Sequence, residues 1–148
     1  MYIDQQFMLS ALSEARLAYD SGEVPIGAVI VKDGRIIARG RNSVEGSSDA
    51  SLHAEMVALK KASEALGTRY LDDCVMYVTM EPCPMCAGAC LSFRLGAVVF
   101  GAYDERAGAF GSVTDLGSGA FGHEVMVTGG IMREACASLL TDFFKQKR

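Results

Sequence analysis

An α/β fold with a mixed five-stranded sheet is what this sequence predicts, on three observations. Amphipathic stretches of helical spacing alternate with short apolar runs of strand length. Two of those runs are joined by Lys32-Asp33-Gly34, turn chemistry that favours an antiparallel hairpin. The remaining runs are separated by helical segments, the spacing at which strands can run parallel with helices packed on the faces of the sheet. With 148 residues the chain reads as one domain, 1–148, long enough to bury about 70% of its unfolded surface.

Taken in order, Asp4 to Tyr19 places Phe7, Met8, Ala11, Leu12, Ala15 and Ala18 at helical spacing, and Asp20-Ser21-Gly22 supplies a stop. Ile26 to Val31 and Arg35 to Gly40 form the two arms of the hairpin. Asn42 to Ser51, rich in Ser, Gly and Asp, reads as a loop. Leu52 to Leu66 reads as a helix with Met56, Leu59, Ala62 and Leu66 on one face, ended by Gly67. Val75 to Met80 suits a buried strand, and Pro84 to Phe93 a helix with proline in its tolerated first turn. Ala97 to Phe100 is a further buried strand and Val125 to Thr128 a weaker one, with a glycine-rich stretch, Gly101 to Gly122, read as mostly loop between them. Residues 131–147 close the chain as an amphipathic helix with Ile131, Ala135, Leu139 and Phe143 inward.

Half of the residues are hydrophobic and 22% are charged, a globular rather than a disordered composition. A net charge of −4 argues against broad electrostatic binding of nucleic acid, although a local basic patch needs no net positive charge. Met1 to Asp20 is interrupted by Asp4, Gln5, Gln6, Ser10 and Glu14 and does not read as a signal peptide. No apolar run approaches the roughly 20 residues of a spanning helix, so no membrane partner is expected. Five cysteines, an odd number with one pair at CxxC spacing, do not form an obvious disulfide framework. In a reducing compartment such a pair points to metal binding or redox chemistry, and a cytoplasmic location is expected.

Two stretches carry the chemistry. His53-Ala54-Glu55 opens one helical segment and Pro82-Cys83-Pro84-Met85-Cys86 opens another, 30 residues on from His53 to Cys83. One imidazole and two thiols suffice for a zinc ion with three protein ligands, which leaves the fourth tetrahedral position open for water. Cys83 and Cys86, three apart on a first helical turn, project to one side, and a helix N-terminus stabilises thiolate. Glu55, two residues from His53, does not share its helical face, so it reads as a proton carrier beside the open position rather than as a ligand. A closed, structural zinc site would need a fourth ligand, for which Cys74 and Cys90 are the candidates, though neither has the spacing of a common motif. A thioredoxin-like CxxC pair is disfavoured by the upstream His-Ala-Glu and by the prolines on both sides of Cys83.

The pattern His-x-Glu followed by Pro-Cys-x-x-Cys is the signature of zinc nucleobase deaminases. Over nearly its whole length the chain resembles bacterial tRNA adenosine deaminases within the cytidine deaminase-like superfamily. The resemblance runs through Gly22 to Ala28 (GEVPIGA), Asn42, His53-Ala54-Glu55, Thr79 to Ala89 (TMEPCPMCAGA), Val98 to Ala102 (VVFGA), Gly111-Ser112 and Leu139 to Phe144 (LLTDFF). It implies a three-layer α/β/α sandwich, one zinc ion held by His53, Cys83 and Cys86, and Glu55 as the proton shuttle. It further implies that Asn42 contacts the flipped base, that Val24 and Pro25 line its pocket, and that Asp104 meets the neighbouring ribose. The implied activity is hydrolytic deamination of adenosine to inosine at the wobble position of a tRNA anticodon loop, by a homodimer. The zinc motif alone also fits deaminases of free guanine, cytosine or a nucleoside, and a non-catalytic zinc subunit would be a third class, although such a chain would be expected to lack the Glu55 carboxylate.

The chain departs from the family pattern at Asp49-Ala50-Ser51-Leu52, at Tyr103 where a basic residue is common, in the glycine-rich stretch 116–122, and in its brief basic tail of Lys145, Lys147 and Arg148. Plainer roles stand beside the implied ones. Asn42 can be a turn residue, Asp104 can cap a turn, and His123 reads as a surface or structural histidine. Phe143 and Phe144 can pack as well as stack on a base. Cys74, Cys90 and Cys136 read as small buried apolar residues.

Overall fold

The computed structural model describes residues 2–147, so Arg148 of the basic tail lies outside the described residues. Helix α1 spans Gln5–Asp20, with Asp4 as its N-cap accepting from the Gln6 N–H. Strands β1 (Gly27–Lys32) and β2 (Arg35–Arg41) follow as the expected hairpin. Asp33 and Gly34 both take positive φ, 51° and 73°, the two-residue turn whose twist matches that of the flanking strands. Then come α2 (Val44–Ser47), α3 (Ala54–Leu66), β3 (Val75–Met80), α4 (Pro84–Ser92), β4 (Ala97–Ala102), β5 (Met126–Thr128) and α5 (Arg133–Gln146).

The five strands form one sheet in the order β2-β1-β3-β4-β5. β1 is antiparallel to both neighbours, while β3, β4 and β5 run parallel, which makes the sheet mixed as expected. Alternate side chains feed two cores. Ile30, Met76, Val78 and Val98 pack with Ala58, Leu59, Ala87 and Cys90 of α3 and α4 on one face. Val29, Val31, Tyr77 and Val99 pack with Met8, Leu12, Cys136 and Leu140 of α1 and α5 on the other. The result is the three-layer α/β/α sandwich that the resemblance implied. Among the described residues no helix is long and apolar enough to cross a membrane.

Two glycines set how closely the helices seat on the sheet. A Cβ at Gly27 would lie 2.1 Å from the Ala11 carbonyl oxygen of α1, and one at Gly40 would lie 2.3 Å from that of Ala54 in α3. Both helices therefore lie with backbone against backbone, and the start of α3 is held at a fixed height above the sheet.

Three sequence expectations need correction. The stretch 42–51 is not all loop, because Val44–Ser47 forms one helical turn whose Glu45 and Gly46 N–H groups donate to the buried carboxylate of Glu23 at 2.9 and 2.7 Å. α3 begins at Ala54 rather than Leu52, with His53 extended at the N-cap, and its buried face is Ala54, Glu55, Ala58, Leu59 and Ala62, with Met56 only half-buried at its margin. In α5 the buried residues are Cys136, Leu140 and Phe143; Leu139, and Ile131 just before the helix, pack half-buried against the same side as expected, whereas Ala135 is exposed. Met132, at φ 56°, turns the chain immediately before the helix, and Cys136 sits against Gly101, where an added Cβ would be 2.3 Å from its sulfur. That turn and that contact set the phase of the helix.

Candidate active site

The elements that carry the motif residues all end at one edge of the sheet. β3 and β4 are parallel, so the residues after Met80 and after Ala102 emerge together, and the Glu81 N–H donates to the Ala102 carbonyl at 2.8 Å. β1 is antiparallel to β3, so its start lies at this same edge, where the Gly27 N–H donates to Thr79 Oγ1 at 3.2 Å. The end of β2 pairs with that start, and the Asn42 N–H donates to the Ile26 carbonyl at 3.2 Å. The Ser43 N–H in turn donates to Leu52 O at 2.9 Å, which brings Asn42 alongside the chain leading into His53. The carboxyl ends of parallel strands are where open α/β sheets place their ligands.

His53 and Cys83 are the N-cap residues of α3 and α4, both in extended conformation. Pro84 at the first helical position fixes the chain between the two thiols without forfeiting a hydrogen bond. His53 Nδ1 lies 3.7 Å from Cys83 Sγ and 3.4 Å from Cys86 Sγ. All three ligand atoms fall within 4.8 Å of one another. Around a tetrahedral zinc with ordinary bond lengths, nitrogen and sulfur ligands sit ~3.6 Å apart, so this donor set fits the ion.

The electrostatics agree with a cation site. The hydrogen bond from Cys86 outweighs burial and, with His53 nearby, lowers the Cys83 thiol to about 4. Cys86 is pushed far above the ordinary thiol range by Cys83 and by burial. His53 is raised, chiefly through its hydrogen bond with Cys83. The cluster thus keeps one sulfur negative, and metal binding requires that form of the thiol.

Glu55 is only 4% exposed, and burial pushes its carboxyl up to about 7, against the pull of the neighbouring His53 charge. Its Oε1 has no hydrogen-bond partner among the described residues, and the same holds for Oδ1 of buried Asn42. A buried oxygen without a partner costs free energy on the order of 1–3 kcal/mol, so two of them at one sheet edge point to a ligand that completes them.

Val24 is half-buried and Pro25 buried in the loop that the Ile26–Asn42 hydrogen bond holds beside Asn42. Asp104 reaches the same edge, with its N–H donating to Glu81 Oε1 at 3.1 Å. Its Oδ1 also accepts from the Arg106 and Ala107 N–H groups, so it does cap a turn. His123 donates from Nε2 to the Leu95 carbonyl at 2.8 Å, which makes it a tie between the loop and the start of β4. Phe143 is buried edge-on to Tyr19, while Phe144 is exposed. Cys74, Cys90 and Cys136 are buried, unpaired thiols.

Sequence reasoning did not assign roles to Glu81 and Glu23. Both are buried carboxylates, 2% and 5% exposed, that accept backbone N–H groups from loops flanking the site. Glu81 accepts from Asp104, Phe110 and Ser112 N–H groups and from the Ser112 hydroxyl. A signal was present: Glu81 follows directly on an apolar strand, where a charged residue is buried only if its oxygens are satisfied.

The family model of the cytidine and deoxycytidylate deaminase zinc-binding region matches residues 1–102. A tRNA-specific adenosine deaminase of Bacillus subtilis is 44% identical over 146 residues, covering 98% of this chain and 91% of that protein. A solved tRNA:A34 deaminase, of the type that performs A-to-I editing at the wobble position of transfer RNA, superposes with a TM-score of 0.89 at 40% identity, covering 93% of this chain and all of that one. A guanine deaminase of Bacillus subtilis is also 44% identical, but over 69% of this chain and 66% of that chain, with a TM-score of 0.65.

Burial alone would raise the Glu81 carboxyl, yet its hydrogen bonds from Ser112, Asp104 and Phe110 win and hold it below its ordinary 4.5. A carboxyl lowered by folding stabilises the fold above its unfolded pKa, and that contribution is lost as pH falls through the folded value. Glu81→Gln is therefore expected to lose about 2–3 kcal/mol at neutral pH. In urea unfolding it should also show a shallower loss of stability than the parent on acidification below 4.5. Parallel pH profiles for parent and variant would show that the carboxylate does not secure the loop.

Proposed function

The chain belongs to the tRNA-specific adenosine deaminases, within the family of cytidine and deoxycytidylate deaminase zinc-binding proteins, and from this we propose that it converts adenosine to inosine at the wobble position of a tRNA anticodon loop. The balanced reaction is adenosine plus water giving inosine plus ammonia. The observation that carries the reading is the buried, partnerless Glu55 Oε1 beside the cluster of His53, Cys83 and Cys86. The likeness to the tRNA deaminases spans almost the full chain, whereas that to the guanine deaminase spans about two thirds of it, which favours the tRNA substrate over a free base.

In this reading His53 Nδ1, Cys83 Sγ and Cys86 Sγ hold zinc. When bound, the ion supplies a Lewis acid that lowers the pKa of water to about 7. Glu55 takes one proton from the attacking water on its carboxylate and gives it to the adenine ring nitrogen, then takes the remaining proton of the added hydroxyl and gives it to the departing amine, which leaves as ammonia. A carboxyl raised to about 7 is suited to both halves of that exchange near neutral pH. Asn42 Oδ1 accepts from the target base, and Val24 and Pro25 close its pocket against water. Asp104 keeps a second carboxylate oxygen for the neighbouring ribose. An anticodon loop suits such a site because its bases are already unpaired and cost little to splay out.

The whole chain acts as a single deaminase domain in the cytoplasm, where five unpaired cysteines fit a reducing environment. A homodimer belongs to the same proposal. Beside the site, a groove of about 630 Å³ lined in part by Leu52, Met56, Val57 and Phe93 offers apolar surface on the outer side of α3 to a second copy.

Purified protein incubated with an anticodon stem-loop, and separately with guanine, cytosine and adenosine, is expected to release ammonia from the stem-loop alone. Release only from a free base would replace the tRNA reading. Glu55→Ala is expected to retain one zinc per chain by metal analysis while its rate falls by roughly 10²–10⁴. An undiminished rate would remove Glu55 from the chemistry. Light scattering is expected to give twice the chain mass, and a monomer at micromolar concentration would rule out the dimer.

A further inference from the structure

We propose that Tyr103 and Arg133 form a contact for an unpaired nucleotide flanking the target adenosine, with the ring meeting its base and the guanidinium its phosphate. The proposal rests on the tRNA reading above and adds the side chains that would grip the loop. Tyr103 is the first residue beyond β4, at the sheet edge from which Cys83 also departs. Its neighbour Asp104 is tied to Glu81, two residues before Cys83, so the ring has a fixed relation to the metal cluster.

The ring is braced and yet open. Phe100 meets it at 5.0 Å between centroids with an interplanar angle of 88°. Bare backbone at Gly129 makes the room, since a Cβ there would come within 2.3 Å of Phe100 Cζ and 2.9 Å of the Tyr103 hydroxyl oxygen. Despite this support Tyr103 remains 43% exposed. An exposed aromatic ring with restricted freedom loses little conformational entropy when a base stacks on it.

Arg133, the first residue of α5, places Cζ 5.2 Å from the centre of the same ring. It is exposed, and among the described residues no ion pair involves it, although Arg39, Arg41 and Arg94 each have a carboxylate partner. A cation at the start of a helix is electrostatically disfavoured, so this one is held by the ring and not by the helix. A guanidinium fixed over an aromatic ring, with its donors unspent, matches the paired demands of a nucleotide: a planar base and an anionic phosphate. This also answers the net charge of −4, because a strand of RNA is gripped by local cations rather than by the sum over the surface.

The test measures steady-state deamination of an anticodon stem-loop at several salt concentrations by the parent, Arg133→Gln and Tyr103→Leu. Each variant is expected to raise KM about tenfold with kcat within about twofold, the energy of one good stacking or charged contact. Arg133→Gln should also reduce the dependence of log(kcat/KM) on log[salt] by about 0.7, the loss of one phosphate contact on a single strand. Arg133→Lys should recover part of the loss, since it keeps the charge without the planar stack. Parent-like KM and salt dependence in Arg133→Gln, with the parent active on the stem-loop, would overturn this contact and leave the tRNA reading standing. A parent that ignores the stem-loop and deaminates a free base would overturn both. Arg133 is exposed and takes no part in the core, so its variants decide the matter even if Tyr103→Leu fails to fold.

Discussion

The interaction on which the site depends is the one Glu81 makes. Its carboxylate stands at the end of β3, between the sheet and the first metal-binding thiol, and accepts hydrogen bonds from Asp104, Phe110 and Ser112. A buried carboxylate is tolerated only when its oxygens are satisfied, and here backbone groups of a single loop, together with the Ser112 hydroxyl, satisfy them. The turn carrying Asp104 is thereby fastened to the residue that leads into Pro82 and Cys83. The Ala109 N–H, which donates to the Pro82 carbonyl at 2.9 Å, makes a second fastening beside it.

A similar device works on the other side of the site. Glu23 accepts from the N–H groups of Glu45 and Gly46, and so holds the helical turn after Asn42 against the loop containing Val24 and Pro25. Between these two carboxylates run the backbone hydrogen bonds that join Ile26 to Asn42 and Ser43 to Leu52. Rigid scaffold and flanking loop are thus joined mostly by main-chain donors, which resist sequence change better than side-chain pairs. The atoms left without partners, Asn42 Oδ1 and Glu55 Oε1, are the ones the scaffold has positioned but not used.

Much of this was legible in the sequence. The hairpin at Asp33-Gly34, the strand VMYVTM and the proline-led helix after Cys83 follow from local chemistry, because turn geometry, apolar runs and proline act over a few residues. The grouping of His53, Cys83 and Cys86 was legible because metal ligation demands particular residue types at particular spacings. What sequence reasoning misjudged depends on distant partners. The phase of α5 is set by Cys136 meeting Gly101, and the helical turn Val44–Ser47 by Glu23. Neither partner can be identified from the segment it shapes. The stacking of Arg133 on Tyr103, 30 positions apart in the chain, is of the same kind.

The close seating of α1 and α3 at Gly27 and Gly40 has a consequence for how such a protein can change over time. At these two points backbone rests on backbone, so no sheet side chain lies there whose size could drift, and the height at which α3 starts, beside His53 and Glu55, is less exposed to the gradual exchange of one core residue for another. The segments 42–52 and 103–112 lie outside those contacts and flank the same sheet edge. The architecture thereby separates a floor that cannot vary from a border that can. Chains built on this scaffold can differ at the border and keep the bond-breaking chemistry of the floor, in keeping with its likeness both to tRNA adenosine deaminases and to a guanine deaminase.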